Sequence, residues 1–219
     1  KTIHEAIVQA RPNDNDAQGR QDGPNLGDTA AALVSYTKAK TIHEAIVQAR
    51  PNDNDAQADL ARIMERLSGA LKVAGNFEQA LQLDRKAIEI RERLFRVSSN
   101  PVEAKRQLAA GYTNVGGSLS HFGDWAGVID ARRKALALYE SLVSGAATDD
   151  DWRGLVLAHM RMASILRHEK KMAEAGKHYK DAQTVAATAV EQFPANRNLR
   201  VLQASSLVGL ATYYKDIGR

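Results

Sequence analysis

Between Met64 and Ala87 the apolar positions follow one rhythm, break, and resume on a second face. Met64, Leu67, Ser68 and Leu71 fall at i, i+3, i+4 and i+7, which places them on one side of a helix of 3.6 residues per turn. Gly75 can take the left-handed conformation that ends a helix, and Asn76 can cap the next one. Ala80, Leu81, Leu83 and Ala87 then line the inner face of a second helix. The stretch therefore predicts an αα-hairpin, and the pattern recurs. Gly27, Gly75, Gly123, Lys170 and Gly218 hold one slot, separated by 48, 48, 47 and 48 residues. Five positions after the first four come Ala32, Ala80, Val128 and Ala175, and twelve after come Ala39, Ala87, Ala135 and Ala182. Seven before the last four are Ser68, Gly116, Ala163 and Ala211, all small. Four before are the large residues Leu71, Leu119, Leu166 and Tyr214, and eight before are Leu67, Val115, Met162 and Leu210. Small residues let helix axes approach while large ones fill the adjoining layer, so the alternation specifies packing within and between hairpins.

The same reading extends along the chain. Residues 1–18, KTIHEAIVQARPNDNDAQ, recur unchanged at 40–57, an offset of 39 that does not match the repeat. Eighteen identities out of register point to a recent local duplication or an artefact, and residues 1–26 are set apart as an atypical N-terminal segment, with GRQDGPNL (19–26) a loop. Asp28 is expected to cap a helix reaching about Gln48, with Leu33, Tyr36, Ile42 and Ile46 inward, and Pro51–Asp55 to form a turn. Asn100-Pro101-Val102-Glu103 is a helix start: a capping amide, proline at the first position and an acid at the third. Trp125, Ile129, Leu136 and Leu142 should face inward on the helix after Gly123. Thr148–Asp151 reads as a capping box at a positive helix end. Helices follow near 150–169, 172–193 and from about Asn198 to Gly218. The last helix lacks the partner that should begin at Gly218, so Leu207, Leu210 and Tyr214 should lose cover; the chain reads as a fragment, or as one whose ends meet another subunit.

These residues carry a resemblance. Tyr112-Thr-Asn-Val115-Gly116…Leu119 and Leu207-Val-Gly-Leu210-Ala211…Tyr214 resemble the first half of the tetratricopeptide signature, W-x2-L-G-x2-Y. Gly27-Asp28…Ala32…Lys38-Ala39, Gly75-Asn76…Ala80…Lys86-Ala87 and Gly123-Asp124…Lys134-Ala135 resemble its second half. From residue 27 to 219 the chain is thus similar to a tetratricopeptide-repeat domain. It departs in length, with roughly 14 residues beyond the family's unit of about 34, and Glu92 stands in the terminal proline slot of the second unit. The resemblance implies an all-α, right-handed superhelical solenoid of antiparallel hairpins. The phrasing "GN…AL…RKA…RE.L" also resembles the repeat tails of bacterial receptor-type serine/threonine kinases. That likeness implies a bacterial source and, as the alternative function, a regulatory tail dimerising through its open ends.

Composition excludes more than it selects. Aromatic content is 5% against 44% hydrophobic residues overall, which suits closely packed helices better than stacked sheets. The 30 basic and 26 acidic residues leave a formal charge of +4 with no basic stripe, so nucleic acid is not expected as a partner. The chain has no cysteine, which removes disulfides and thiolate metal sites, suits a reducing compartment and reads as cytoplasmic. No apolar run approaches the roughly 20 residues that span a bilayer, so this segment is not expected to insert in a membrane.

Nor does a catalytic motif emerge. The histidines are His4, His43, His121, His159, His168 and His178; none forms HExxH, and His159 and His168 are too far apart for a helical i, i+4 metal pair. His159 is expected to pack where Met64, Tyr112 and Leu207 do. Asp149–Asp151 lacks the spaced oxygens of a calcium loop. Phosphate-binding glycine motifs, kinase triplets and a nucleophile elbow are all absent, and Gly116-Gly117 reads as a close helix contact. No cofactor, metal or enzymatic activity is expected. What remains is the face that the resemblance makes concave, lined by the first helix of each hairpin. By register it comprises Glu65, Arg66, Gly69 and Lys72; Thr113, Asn114, Gly117 and Ser120; Met160, Arg161, Ser164 and Arg167; and Val208, Gly209, Thr212 and Lys215. The small residues leave room for a ligand backbone, and Arg66, Lys72, Arg161 and Arg167 can hold carboxylates. The plain alternative is a solvated helix face. The functional expectation is a scaffold that binds an extended, somewhat acidic peptide or protein.

Overall fold

A computed structural model describes residues 26–145 and 147–218, with the side chains of Leu26 and Gly27 outside that description. The described residues form helices and no strand: α1 (Leu26–Ala49), α2 (Asn54–Val73), α3 (Phe77–Val97), α4 (Pro101–Ser120), α5 (Trp125–Val143), α6 (Asp149–His168), α7 (Met172–Gln192) and α8 (Arg197–Asp216). They fall into two compact units, one ending at Ser98 and the other beginning at Ser99. In the first, α2 packs against α1 and α3. In the second, α4 to α8 pack each against the next, and α6 also meets α8. The duplicated segment 1–18 and the loop expected at 19–25 lie outside the described residues.

The repeat slot is where the backbone turns. Gly75, Gly123, Lys170 and Gly218 all have positive φ, at 81°, 69°, 58° and 72°. Gly75 and Lys170 close their helices by the same pair of bonds. The amide of Asn76 donates to the Leu71 carbonyl at 2.8 Å and that of Gly75 to Lys72 at 3.1 Å; Lys171 donates to Leu166 at 2.8 Å and Lys170 to Arg167 at 3.0 Å. This left-handed closure satisfies two carbonyls that the helix end leaves without partners. Gly27 differs: it lies inside α1, which begins two residues before the expected cap Asp28 and places that acid in the first turn. Of the expected caps, Asp124 accepts from Gly127, Asn100 from Glu103, and Thr148 with Asp151 forms the full capping box. Asn76 caps nothing with its side chain; its backbone amide is spent on Leu71 instead. Asp53, read as part of a turn, is the cap of α2.

The small-residue register is the core. Ala80, Val128 and Ala175 are fully buried, as are Ala87, Ala135 and Ala182. Ser68 and Ala163 are sealed as well, and a β-carbon added at Gly116 would touch Ala131 and Arg132 at 3.5 Å. Leu71, Leu119 and Leu166 fill the adjoining layer. Around them, Leu60, Ala61, Met64 and Ala87 gather Val47, Leu83 and Ile90, and Leu136, Leu155 and Ala158 gather Tyr139, Val143 and Val185. Gly117 has open space where a close contact was expected. Ala211 is exposed, and Leu207 with it, because no described helix covers that side of α8.

Candidate functional site

The expected ligand face divides once side chains are placed. In the first unit two of its charges are already engaged. Arg91 of α3 donates through Nε and Nη2 to both carboxylate oxygens of Glu65, each at 3.2 Å, with Arg91 95% buried (5% exposed). Lys72 donates to Asp84 at 3.1 Å, and the Asp84 side chain is sealed from solvent. Forked, desolvated pairing of this kind fixes the register of α2 on α3. Arg66 is exposed and Gly69 has open space above it.

In the second unit, the small polar members turn inward on their own helices. Thr113 donates to the Ala109 carbonyl, Ser120 to Gly117 and Thr212 to Val208. Gly209 leaves room for the Tyr179 ring rather than for a ligand. Arg167 reaches Asp216 on α8 at 2.9 Å. Asn114 and Met160 are half-buried, while Arg161, Ser164 and Lys215 are exposed.

One residue outside the expected set changes the electrostatics. Arg132 comes from α5, the second helix of its hairpin, and its stem packs over Gly116. It is half-buried, and its Nε is enclosed with no hydrogen-bond partner. Burial pushes its guanidinium down to about 10, and the charge of Arg161 pushes the same way. Burial raises the Tyr139 phenol, while Thr113, Arg161 and Arg153 pull it down. Arg132 and Arg161 thus repel one another, and no acidic partner for either occurs among the described residues. Arg132 is the desolvated member of the pair and Arg161 the exposed one, and like charges so placed favour an anion between them. The register held the clue: nine positions after the slot stand Asp84, Arg132 and Tyr179, a charge reversal between the first two.

Residues 60–96, spanning most of α2 and α3, match the model for the tetratricopeptide repeat. No curated protein matches the chain in sequence. Solved structures do match its fold. The yeast histone chaperone Hif1 aligns over 97% of this chain and 98% of its own, at 11% identity and TM-score 0.58. A Podosopora anserina protein with nearly identical TPR-like repeats aligns over 91% and 90%, at 13% identity and TM-score 0.55. BtubC from P. vanneervenii aligns over 85% and 71%, at 18% identity and TM-score 0.54. No described helix is long and apolar enough to cross a membrane. The described residues form an all-α helical-repeat fold, whose α2–α3 hairpin matches the tetratricopeptide-repeat model.

Proposed function

We propose that this protein is a non-catalytic interaction scaffold, and that the face around Arg132 and Arg161 takes an extended, acidic stretch of a partner protein. The observation that carries the reading is the pairing of two guanidiniums with no carboxylate beside them among the described residues. A partner carboxylate between them offsets their mutual repulsion and the burial of Arg132, and arginine's planar fork suits that role. The exposed Ser164 and the open space at Gly117 leave room for an extended backbone alongside. Hif1, described as a scaffold recruiting protein complexes to core histones, shares the fold and supports the class of function, not the partner.

A fluorescent glutamate-rich dodecapeptide provides the probe. Arg161→Glu should weaken its binding at least tenfold, about 1.4 kcal/mol. Affinity should fall with added salt, as expected for contacts between charges. Equal affinity for the wild type and Arg161→Glu would remove this face from the function.

A further inference from the structure

The hairpin of α6 and α7 departs from the repeat at three positions that converge in space. Eleven residues before the slot, Met64, Tyr112 and Leu207 become His159. Eight after it, Leu83 and Ala131 become His178, and eleven after it, Lys86 and Lys134 become Asp181. An apolar pair and a lysine at the edge have been exchanged for two imidazoles and a carboxylate. The ligand atoms of His159, His178 and Asp181 all lie within 4.8 Å of one another. The Nδ1 atoms of the two rings are 3.0 Å apart. His159 is buried at 6% exposure, while His178 and Asp181 are half-buried and open the cluster on its outer side.

We propose that His159, His178 and Asp181 form a binding site for a borderline divalent cation of the zinc class, joining α6 to α7. Two imidazole nitrogens and one carboxylate are the donor set such ions favour, whereas calcium and magnesium prefer oxygen throughout. Zinc–nitrogen bonds of about 2.0–2.1 Å at tetrahedral angles place two ligand nitrogens about 3.3 Å apart. The rings need to part by only a few tenths of an ångström. In the metal-free pair one Nδ1–H donates to the other Nδ1; the ion takes that proton's place, the proton passes by way of solvent to Nε2 of the same ring, and both rings then bind as Nε2–H tautomers. Asp181, three residues after His178 on α7, swings in as the third ligand. The fourth position faces the open side and accepts water or a partner's side chain, as in a site with three protein ligands. Scanning histidine spacing along one helix misses this site, because His159 and His178 lie on different helices, nineteen residues apart.

The experiment titrates Co²⁺, then Zn²⁺, into the tag-free full chain, following cobalt d–d absorption and displacement by zinc. One equivalent should bind with a tetrahedral spectrum. His178→Ala should abolish that spectrum, Asp181→Asn should weaken binding at least tenfold, and His168→Ala should leave it intact. Circular dichroism confirms that each variant keeps its helices, and Asp181→Asn, on a half-buried side chain, serves if His178→Ala does not fold. Absence of saturable binding, binding unchanged in both site variants, or equal preference for Ca²⁺ would each overturn the site.

Discussion

One position in the repeat is Asp84 in the first unit and Arg132 in the second, and the two units resolve their charge in opposite ways. Asp84 is sealed beneath Lys72, and next to it Arg91 grips Glu65; both cations are consumed in holding α2 to α3. Arg132 faces Arg161 instead, and the residue in Lys72's slot is Ser120, turned back to its own helix. The lesson is that the same fold position can store a charge internally or leave it for a ligand. Which of the two happens depends on one partner across the hairpin.

The largest effect expected from disturbing this contrast is in the first unit. Arg91→Ala strands the Glu65 carboxylate, whose side chain is only 15% exposed, and should cost about 3 kcal/mol in urea unfolding. The double change Glu65→Met with Arg91→Met should be far less destabilising than Arg91→Ala, since an apolar pair of similar volume replaces a buried ion pair at little cost. A double variant as unstable as the single one would show that the pair does more than neutralise itself.

Acid should act next, through the second unit. Burial lowers His159 from 6.5 to about 4, and the neighbouring His178 and Lys177 push the same way while Asp181 opposes them. Between those two pH values the unfolded chain holds a proton that the folded chain does not, so stability falls as pH drops from 6.5 towards 4. The loss should approach roughly 2–3 kcal/mol by the linkage of 1.36 kcal/mol per pKa unit, measured with a chelator present. His159→Met, which restores the Met64 pattern, should flatten the profile over that window.

The smallest effect concerns the turn. Lys170 holds the left-handed closure that glycine supplies at Gly75, with the same two hydrogen bonds. Lys170→Gly should therefore stabilise by about 1 kcal/mol, the steric cost of a side chain in that region, less the extra freedom glycine brings to the unfolded chain. A decrease in melting temperature would mean that the Lys170 side chain contributes something the backbone does not explain.

The fold was legible because packing obeys a short-range rule. Ser68, Ala80, Ala163 and Ala175 are small where helices must touch, and Leu71 and Leu166 are large where they must fill, so spacing alone located the hairpins. The slot was legible even at Lys170, since its neighbours kept register when its own identity did not. The ligand face was harder to read. Its register positions came from the first helix of each hairpin, but whether Glu65 and Lys72 face a ligand depends on Arg91 and Asp84 across the turn, which spacing along one helix does not reveal. Arg132 and His178 escaped for the same reason: both sit on second helices and matter through what they oppose. Asn76 has the composition of a cap but serves through its backbone, a choice fixed by the closure at Gly75.

The most direct test of this contrast transplants the first unit's solution into the second. Ser120→Lys with Arg132→Asp copies Lys72 and Asp84 into α4 and α5. The variant should fold with a melting temperature at or above that of the wild type, because it removes the Arg132 guanidinium that repels Arg161 and puts an opposite pair in its place, and it should lose at least tenfold in affinity for the glutamate-rich peptide. A well-folded variant that binds the peptide as tightly as the wild type would contradict the claim that the Arg132–Arg161 face is the recognition site.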